Sequence, residues 1–163
     1  MHGNERNLME KHLARVDWQQ ANVLDVGSRD INGTFRPMVT QLGWTYTGLD
    51  LAAGDNVDVV TEHPYEYPFP DGTFDAVISG STMEHVAAIW LWVPELVRVL
   101  RPGGLLVVIA PNCWRVGHQK PDYWRILPYG MHYLFITDGR LENIKVERLT
   151  TDTVGSAFKK AVV

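Results

Sequence analysis

One short stretch near the amino terminus constrains the fold more than any other, the run V-L-D-V-G-S-R-D over residues 23–30. Apolar residues surround a single acid and lead to a glycine, which is typical of a buried parallel strand that stops at a tight turn. Thr34, a few residues further on, is of a type that caps helices, so a helix is expected to follow. At such a turn a helix amino terminus presents N–H groups, and Gly27 lets a ligand approach the backbone. The stretch therefore predicts a site for a nucleotide-like cofactor.

The spacing of glycines in this turn separates two classes of cofactor. A dinucleotide-binding turn has the pattern G-x-G-x-x-G, whereas the first glycine after Gly27 is Gly33. Asp25 before the turn and Asp30 within it would also repel a doubly anionic pyrophosphate. The turn suits instead a cofactor with a cationic end. S-adenosylmethionine has one, since it carries a sulfonium and an ammonium.

Four further stretches follow in order along the chain. Y-T-G-L-D at residues 46–50 has the pattern of a second strand with a terminal acid, and F-D-A-V-I-S at residues 74–79 that of a fourth strand. T-M-E-H-V at residues 82–86 and L-R-P-G-G-L at residues 100–105 are similar to two signatures of class I S-adenosylmethionine-dependent methyltransferases. With the turn, these stretches span most of the chain, which thus resembles a small bacterial methyltransferase domain of this class. Arg29 stands where that family usually has its second glycine.

The resemblance implies an α/β fold with a Rossmann-like, doubly wound, mostly parallel seven-stranded sheet and an antiparallel carboxyl-terminal hairpin. The hydrophobic pattern agrees, because strand-like apolar runs alternate with stretches of helical spacing. Residues 144–149 alternate between apolar and polar, and residues 154–159 follow after a turn, as a hairpin requires. Asn4 is predicted to cap an amino-terminal helix. At 163 residues with 45% hydrophobic content, the chain is predicted to form a single domain over residues 1–163.

Asp50 is the acid expected to bind the cofactor ribose. It lies about 20 residues beyond Gly27, as a ribose-binding acid does in a βαβ unit, and a carboxylate accepts from both ribose hydroxyls. For an isolated Asp after a strand, helix capping or solvation is the alternative. By the resemblance, an acid early in the loop after the third strand contacts the adenine amino group; Glu62 is the nearest match, and His63 competes with it. The predicted cofactor-binding residues are Asp25, Gly27, Ser28, Arg29, Asp50, Leu51, Glu62, Ser79 and Ser81.

An aromatic-rich segment from Asn112 to Phe135 follows the fifth strand, so it is expected to lie at the carboxyl edge of the sheet as an acceptor-side lid. Its prolines and glycine predict that no long regular element forms there. D-Y-W-R-x-x-P-x-G at residues 122–130 resembles a segment of small bacterial methyltransferases, some associated with glycan or secondary-metabolite pathways. The predicted partner is a small-molecule acceptor, and the predicted acceptor-side residues are Trp114, Tyr123 and Trp124.

The chemistry expected of such a site is an in-line displacement of the methyl group from a sulfonium. The enzyme then mainly aligns acceptor and methyl group and excludes water. A hydroxyl or ammonium acceptor also needs a base. His85, beside the expected sulfonium position, is the first candidate and His118 in the lid the second, with a structural role as the alternative for both. Two other functions stay open, a nicotinamide-dependent oxidoreductase and a non-catalytic module that binds S-adenosylmethionine.

Charge and cysteine content limit the classes of partner and the cellular compartment that the sequence predicts. With a net charge of −4 and no Lys/Arg cluster beyond Lys159-Lys160, the chain lacks a broad cationic face for nucleic acid. The lone Cys113 excludes an internal disulfide and a Cys-based metal site, and no metal is predicted. The polar amino terminus is unlike a signal peptide, and no apolar stretch approaches the ~20 residues of a spanning helix. These features predict a soluble, cytoplasmic protein without a membrane or nucleic-acid partner and leave its oligomeric state open.

Overall fold

The computed structural model describes residues 3–113, 115 and 120–161. The elements in these ranges are α1 (Gly3–Leu13), β1 (Asn22–Val26), α2 (Arg36–Gln41), β2 (Thr45–Asp50), β3 (Val59–Val60), β4 (Phe74–Gly80), a 3₁₀ turn (Met83–His85), α3 (Ile89–Val99), β5 (Leu100–Pro111), α4 (Pro128–Asp138), β6 (Leu141–Leu149) and β7 (Asp152–Lys159). The strands form one sheet in the order β3-β2-β1-β4-β5-β7-β6. No helix in the described ranges is long and apolar enough to cross a membrane.

The strand order contains the reversal that a doubly wound sheet requires. β1 pairs in parallel with β2 on one side and with β4 on the other, so the chain runs outward to β3 and then returns across β1. β4 pairs in parallel with β5, whereas β7 pairs antiparallel with both β5 and β6. The predicted fold class, a Rossmann-like, mostly parallel seven-stranded sheet with an antiparallel carboxyl-terminal hairpin, is confirmed. The carboxyl ends of β1 and β4 form the topological switch point, where ligands bind in such sheets.

The apolar side chains form two cores, one on each face of the sheet, because successive residues of a strand point to opposite faces. In β5, Leu106 and Val108 belong to the core under α3 and α4, whereas Leu105, Val107 and Ile109 belong to the core under α1 and α2. All five side chains are fully buried. A continuous apolar strand of this kind is typical of a sheet covered on both faces. The switch point is therefore supported by packed layers on either side.

Two helices differ from the sequence-based expectation. Asn4 lies inside α1, which begins at Gly3, and its side-chain amide donates a hydrogen bond to the Thr150 hydroxyl, so the predicted capping role is wrong. The second difference is α4, which falls within the segment expected to lack a long regular element. Pro128 lies at the start of α4, where the N–H that proline lacks would have no intrahelical partner. The proline that was expected to prevent a helix therefore begins one.

Candidate functional site

A cavity of about 760 Å³ opens at the carboxyl ends of β1, β2 and β4. Its volume falls within the range of about 300–1,000 Å³ that is typical of small-molecule and cofactor sites. The turn after β1, the end of β2, the loop after β3, the region after β4 and the amino-terminal helix all contribute to its wall. The predicted site residues that line it are Asp25, Gly27, Ser28, Arg29, Asp50, Leu51, Ser81 and His85.

Two predicted cofactor residues, Ser79 and Glu62, lie outside the described wall of this cavity. Ser79 is fully buried, and its hydroxyl donates a 2.7 Å hydrogen bond to the Val26 carbonyl, so its side chain ties β4 to β1. Glu62 is exposed, and Thr61 takes the place in the wall that was expected for it. The Thr61 hydroxyl lies 3.2 Å from the Glu66 carbonyl, which curls the loop so that Thr61 faces inward and Glu62 outward.

The turn after β1 is built around Gly27. Its φ of +78° lies in the left-handed region that favours glycine, and an added Cβ would lie only 2.0 Å from Oγ1 of Thr82. The N–H groups of Gly27 and Ser28 both donate to the Leu49 carbonyl, at 2.8 and 3.1 Å. These bonds fold the turn back onto the end of β2. The backbone of the turn thereby forms one side of the cavity directly beside Asp50.

Asp50 ends β2 with both carboxylate oxygens held in place. Oδ2 accepts from the backbone N–H of Arg29 and Oδ1 from that of Ala52, each at 3.1 Å. A carboxylate oxygen can accept more than one hydrogen bond, so both oxygens keep capacity for further donors from the cavity. The carboxylate is therefore oriented in advance, as binding of a pair of adjacent hydroxyls requires.

Asp25 lies deeper in the wall and is almost fully buried, with 3% of its surface exposed. Its Oδ2 accepts a 2.5 Å hydrogen bond from the Tyr46 hydroxyl. Burial raises the pKa of Asp25 from its ordinary value near 4 to about 7, although the Tyr46 hydroxyl and the Arg36 guanidinium act in the opposite direction. A buried carboxylate has lost the water that would stabilise its negative charge. A cationic ligand in the cavity would therefore stabilise its ionised form.

Glu5 of α1 is a wall residue that sequence reasoning missed. Only 1% of its surface is exposed, and it accepts a hydrogen bond from the Ser81 hydroxyl through Oε1. This bond joins the amino-terminal helix to the turn after β4. Within the helix Glu5 looks like any polar residue of a first turn, and only the packing of α1 against β5 and β7 brings it to the cavity. No local signal in the sequence identifies it.

His85 lines the same end of the cavity as Ser81. Its Nδ1 contacts the Pro121 carbonyl, and because a carbonyl only accepts, Nδ1 is the donor of this hydrogen bond. Nε2 lies 3.8 Å from Oε1 of Glu84. Glu84 is 1% exposed, and its burial raises its pKa to about 8. His85 thus brings an imidazole to the wall of the cavity, and the Glu84 carboxyl, which burial keeps protonated at neutral pH, lies beside it outside the wall.

Tyr123 and Trp124, two of the aromatic residues expected on the acceptor side, are not part of the described cavity wall. The indole N–H of Trp124 donates a 2.9 Å hydrogen bond to the Val86 carbonyl, and its ring meets Trp90 edge-on at 6.2 Å. The backbone N–H of Tyr123 donates to the Glu84 carbonyl at 2.7 Å, so the segment runs along the 3₁₀ turn and directs Trp124 onto α3. About half of the Tyr123 surface is exposed.

Other residues from the same segment line the cavity instead. Arg115, Lys120 and Pro121 belong to its wall and adjoin His85 through the Pro121 carbonyl. Among the residues that the structure describes, no group of three or more His, Cys, Asp or Glu side chains is placed to hold a metal ion. Trp114 and His118, the remaining predicted acceptor-side and catalytic residues, lie outside the described residues.

Comparison with known proteins identifies the family. Residues 24–108, more than half of the chain, match the family described as methyltransferase domain. The chain belongs to this family of S-adenosylmethionine-dependent methyltransferases, and the predicted protein class and cofactor are confirmed at that level. The chain resembles a methyltransferase structure from Aquifex aeolicus with a TM-score of 0.67 and 18% identity, over 92% of this chain and 88% of that one. That likeness supports the fold.

Two curated relatives have more specific names. The chain is 27% identical over 158 residues to 2-methyl-6-phytyl-1,4-hydroquinone methyltransferase of Synechocystis sp., covering 83% of this chain and 48% of that protein. It is 34% identical over 137 residues to fatty-acid O-methyltransferase of Mycolicibacterium smegmatis, covering 74% of this chain and 47% of that protein. The chain therefore spans about half the length of these relatives.

Proposed function

We propose that this chain transfers the methyl group of S-adenosylmethionine to a small-molecule acceptor. The observation that carries the proposal is a set of three carboxylates, Glu5, Asp25 and Asp50, in the wall of one cavity at the topological switch point. A nucleoside with a cationic tail has matching chemistry, because it brings hydroxyls to Asp50 and positive charge to the other two acids. A dinucleotide would bring an anionic pyrophosphate beside the same acids, which disfavours a nicotinamide-dependent reaction.

The residues present fit each part of this cofactor. Asp50 would accept from the ribose hydroxyls, and Asp25 and Glu5 would face the ammonium and sulfonium. Tyr67 and Trp92, along with Phe35, are the aromatic residues of the described wall suited to contact adenine. When bound, S-adenosylmethionine supplies an electrophilic methyl group on its sulfonium.

The proposed acceptor end of the cavity lies at Ser81, His85 and Pro121. There the wall aligns the acceptor with the methyl group and excludes water, which are the main requirements of an in-line displacement. For O- or N-methylation, Nε2 of His85 takes the proton of a hydroxyl or ammonium acceptor. The substrates named for the two relatives, a phytyl hydroquinone and a fatty acid, support a small-molecule acceptor.

Two measurements test the proposal. Calorimetry should show binding of S-adenosylmethionine and S-adenosylhomocysteine with free energies on the order of −5 to −8 kcal/mol. Tritium transfer from methyl-labelled cofactor should then label one class in a panel of hydroquinones, carboxylic acids, amines, glycans and secondary metabolites. Heat for a nicotinamide dinucleotide, with none for either adenosyl ligand, would contradict the proposal. Binding without transfer to any acceptor would favour a non-catalytic module.

A further inference from the structure

Behind the cavity, side chains from separate elements form one continuous hydrogen-bonded chain. It begins at Asp25 of β1 and passes to Tyr46 of β2, whose hydroxyl donates at 2.5 Å. Asn56, before β3, donates through Nδ2 to the Tyr46 oxygen at 2.8 Å. Arg36 of α2 donates through Nε to Oδ1 of Asn56 at 2.7 Å and through its terminal nitrogen to Asp58 at 2.7 Å. These hydrogen bonds therefore link the buried Asp25 of the cavity wall to Arg36 of α2 and, through Arg36, to Asp58.

The direction of each hydrogen bond in this chain is fixed by its neighbours. Arg36 can only donate, so the atom of Asn56 that it meets is the amide oxygen. The amide nitrogen of Asn56 then donates both to the Ser28 carbonyl, at 2.6 Å, and to the Tyr46 hydroxyl oxygen. An ionised Asp25 carboxylate can only accept, so the single hydrogen of the Tyr46 phenol points at Asp25. The network thus commits Tyr46 to stabilising the Asp25 carboxylate.

We propose that Tyr46 is a positioning residue for the cofactor, because its hydroxyl favours the ionised form of the Asp25 carboxylate and keeps it in place for the cationic end of the ligand. Tyr46 is not part of the described cavity wall, so it acts through Asp25 rather than by contact with the ligand. This inference rests on the proposed function, since it takes an adenosyl amino acid as the ligand.

The charged and titratable groups that face Asp25 agree with this role. They are Tyr46 and Asp50 of β2 and Arg36 of α2. Burial raises the pKa of Asp25 to about 7 and Asp50 adds to the rise, whereas the Tyr46 hydrogen bond and the Arg36 charge lower it. The Arg36 guanidinium also lies over one face of the Tyr46 ring, 4.3 Å from its centre. This cation–π contact helps to fix the position of the phenol. Loss of the phenol hydroxyl is therefore expected to raise the pKa of Asp25 further.

The test compares Tyr46→Phe with the parent chain, using S-adenosylhomocysteine and 5′-methylthioadenosine as probes. The second probe keeps the adenosine but lacks the amino-acid tail, so it does not depend on the charge of Asp25. The ratio of variant to parent dissociation constants cancels the ionisation of the ligand. For S-adenosylhomocysteine this ratio should be about tenfold at pH 6 and below twofold at pH 8.5, given a pKa rise of about one unit for one lost hydrogen bond. For 5′-methylthioadenosine it should stay below twofold throughout.

Two control variants separate positioning from a structural role. Tyr65→Phe removes another phenol, one that accepts a hydrogen bond from the Ala88 backbone N–H, and should leave both ratios near one. In an Asp25→Asn background, Tyr46→Phe should cause no further loss of S-adenosylhomocysteine affinity. Asn56→Gly tests the same network at a second position, because it removes the donor to the Tyr46 oxygen, and glycine tolerates the φ of +71° found there. Its loss of S-adenosylhomocysteine affinity should also shrink as the pH rises.

Three results would overturn the inference while leaving the proposed function intact. They are an equal loss for both probes, a loss that does not change with pH, and the same loss with and without the Asp25 carboxylate. If the parent binds neither probe, the proposed function fails and this inference fails with it.

Discussion

Gly27→Ala is expected to destabilise the folded chain by about 2–5 kcal/mol. Alanine at φ +78° costs roughly 1–2 kcal/mol, because its Cβ approaches the carbonyl oxygen in the left-handed region. The new Cβ would also lie 2.0 Å from Oγ1 and 2.5 Å from Cγ2 of Thr82. Thr82 must then leave its contacts with the Val26 and Gly80 carbonyls, at 3.3 and 3.2 Å. Overpacking and lost polar contacts of this kind cost about 1–3 kcal/mol more.

Gly43→Ala is a matched control for the backbone part of this cost. Gly43 has φ +77°, almost the same as Gly27, but a Cβ added there meets no neighbouring atom of the described residues within 4 Å. Its substitution should therefore cost only the roughly 1–2 kcal/mol of the left-handed conformation. The difference between the two variants isolates the clash with Thr82.

Urea unfolding measures both variants, with the midpoint and the slope compared with those of the parent. The double variant Gly27→Ala/Thr82→Gly lacks the side chain that the new Cβ would meet. Its loss of unfolding free energy should therefore be smaller than the sum of the losses in the two single variants. Equal costs for Gly27→Ala and Gly43→Ala would refute the packing argument and leave the turn constrained by backbone conformation alone.

Three further substitutions test the site. Asp50→Ala should weaken S-adenosylhomocysteine binding by roughly 2–3 kcal/mol, since bonds to a charged acceptor are lost; unchanged affinity in calorimetry with a lower melting temperature would make Asp50 structural. Asp25→Asn should lessen the loss of stability with rising pH: with a pKa of about 7, folded Asp25 holds a proton that the unfolded chain has lost, so this one group lowers the parent's stability by roughly 3 kcal/mol between pH 5 and 8, separately from the contribution of Glu84. Urea midpoints at those two pH values check this, and an equal loss in the variant would contradict it. Trp124→Ala should cost about 2–4 kcal/mol in urea unfolding with methyl transfer kept within a few-fold, because its ring packs on Trp90; abolished transfer in a folded variant would return Trp124 to the acceptor side.

Local sequence predicts the fold and the cofactor turn because their determinants are local. An apolar strand that ends at Gly27 can only turn where a side chain is absent, and Asp50 stands at the end of the next strand in the same pattern. The alternation of strands and helices predicts a parallel sheet, and the family resemblance supplies its seven strands and final hairpin. The sheet and the position of its cavity could therefore be predicted before any contact was known.

The errors in the site come from contacts between distant parts of the chain. The position of Ser79 in β4 can be read from the sequence. Its hydroxyl, however, bonds to the Val26 carbonyl of β1, and this partner is known only from the pairing of the two strands. Glu5 reaches the cavity only because α1 packs across the sheet. Trp124 illustrates a different ambiguity, because an aromatic-rich loop is typical both of a lid and of a packed core. Its indole bond to Val86 decides between the two.

The acids of the cavity wall are better explained by ligand binding than by the stability of the fold. Asp25 is buried beside a second carboxylate, Asp50, and its raised pKa shows that its ionised form costs stability in the free chain. An apolar side chain at this buried position would favour stability more, since replacing buried charge by well-packed apolar groups is often stabilising. The chain instead devotes Tyr46, Asn56 and Arg36 to keeping that carboxylate oriented. Such a departure from the best packing is expected where a ligand supplies the missing charge, as we propose for the sulfonium and ammonium of S-adenosylmethionine.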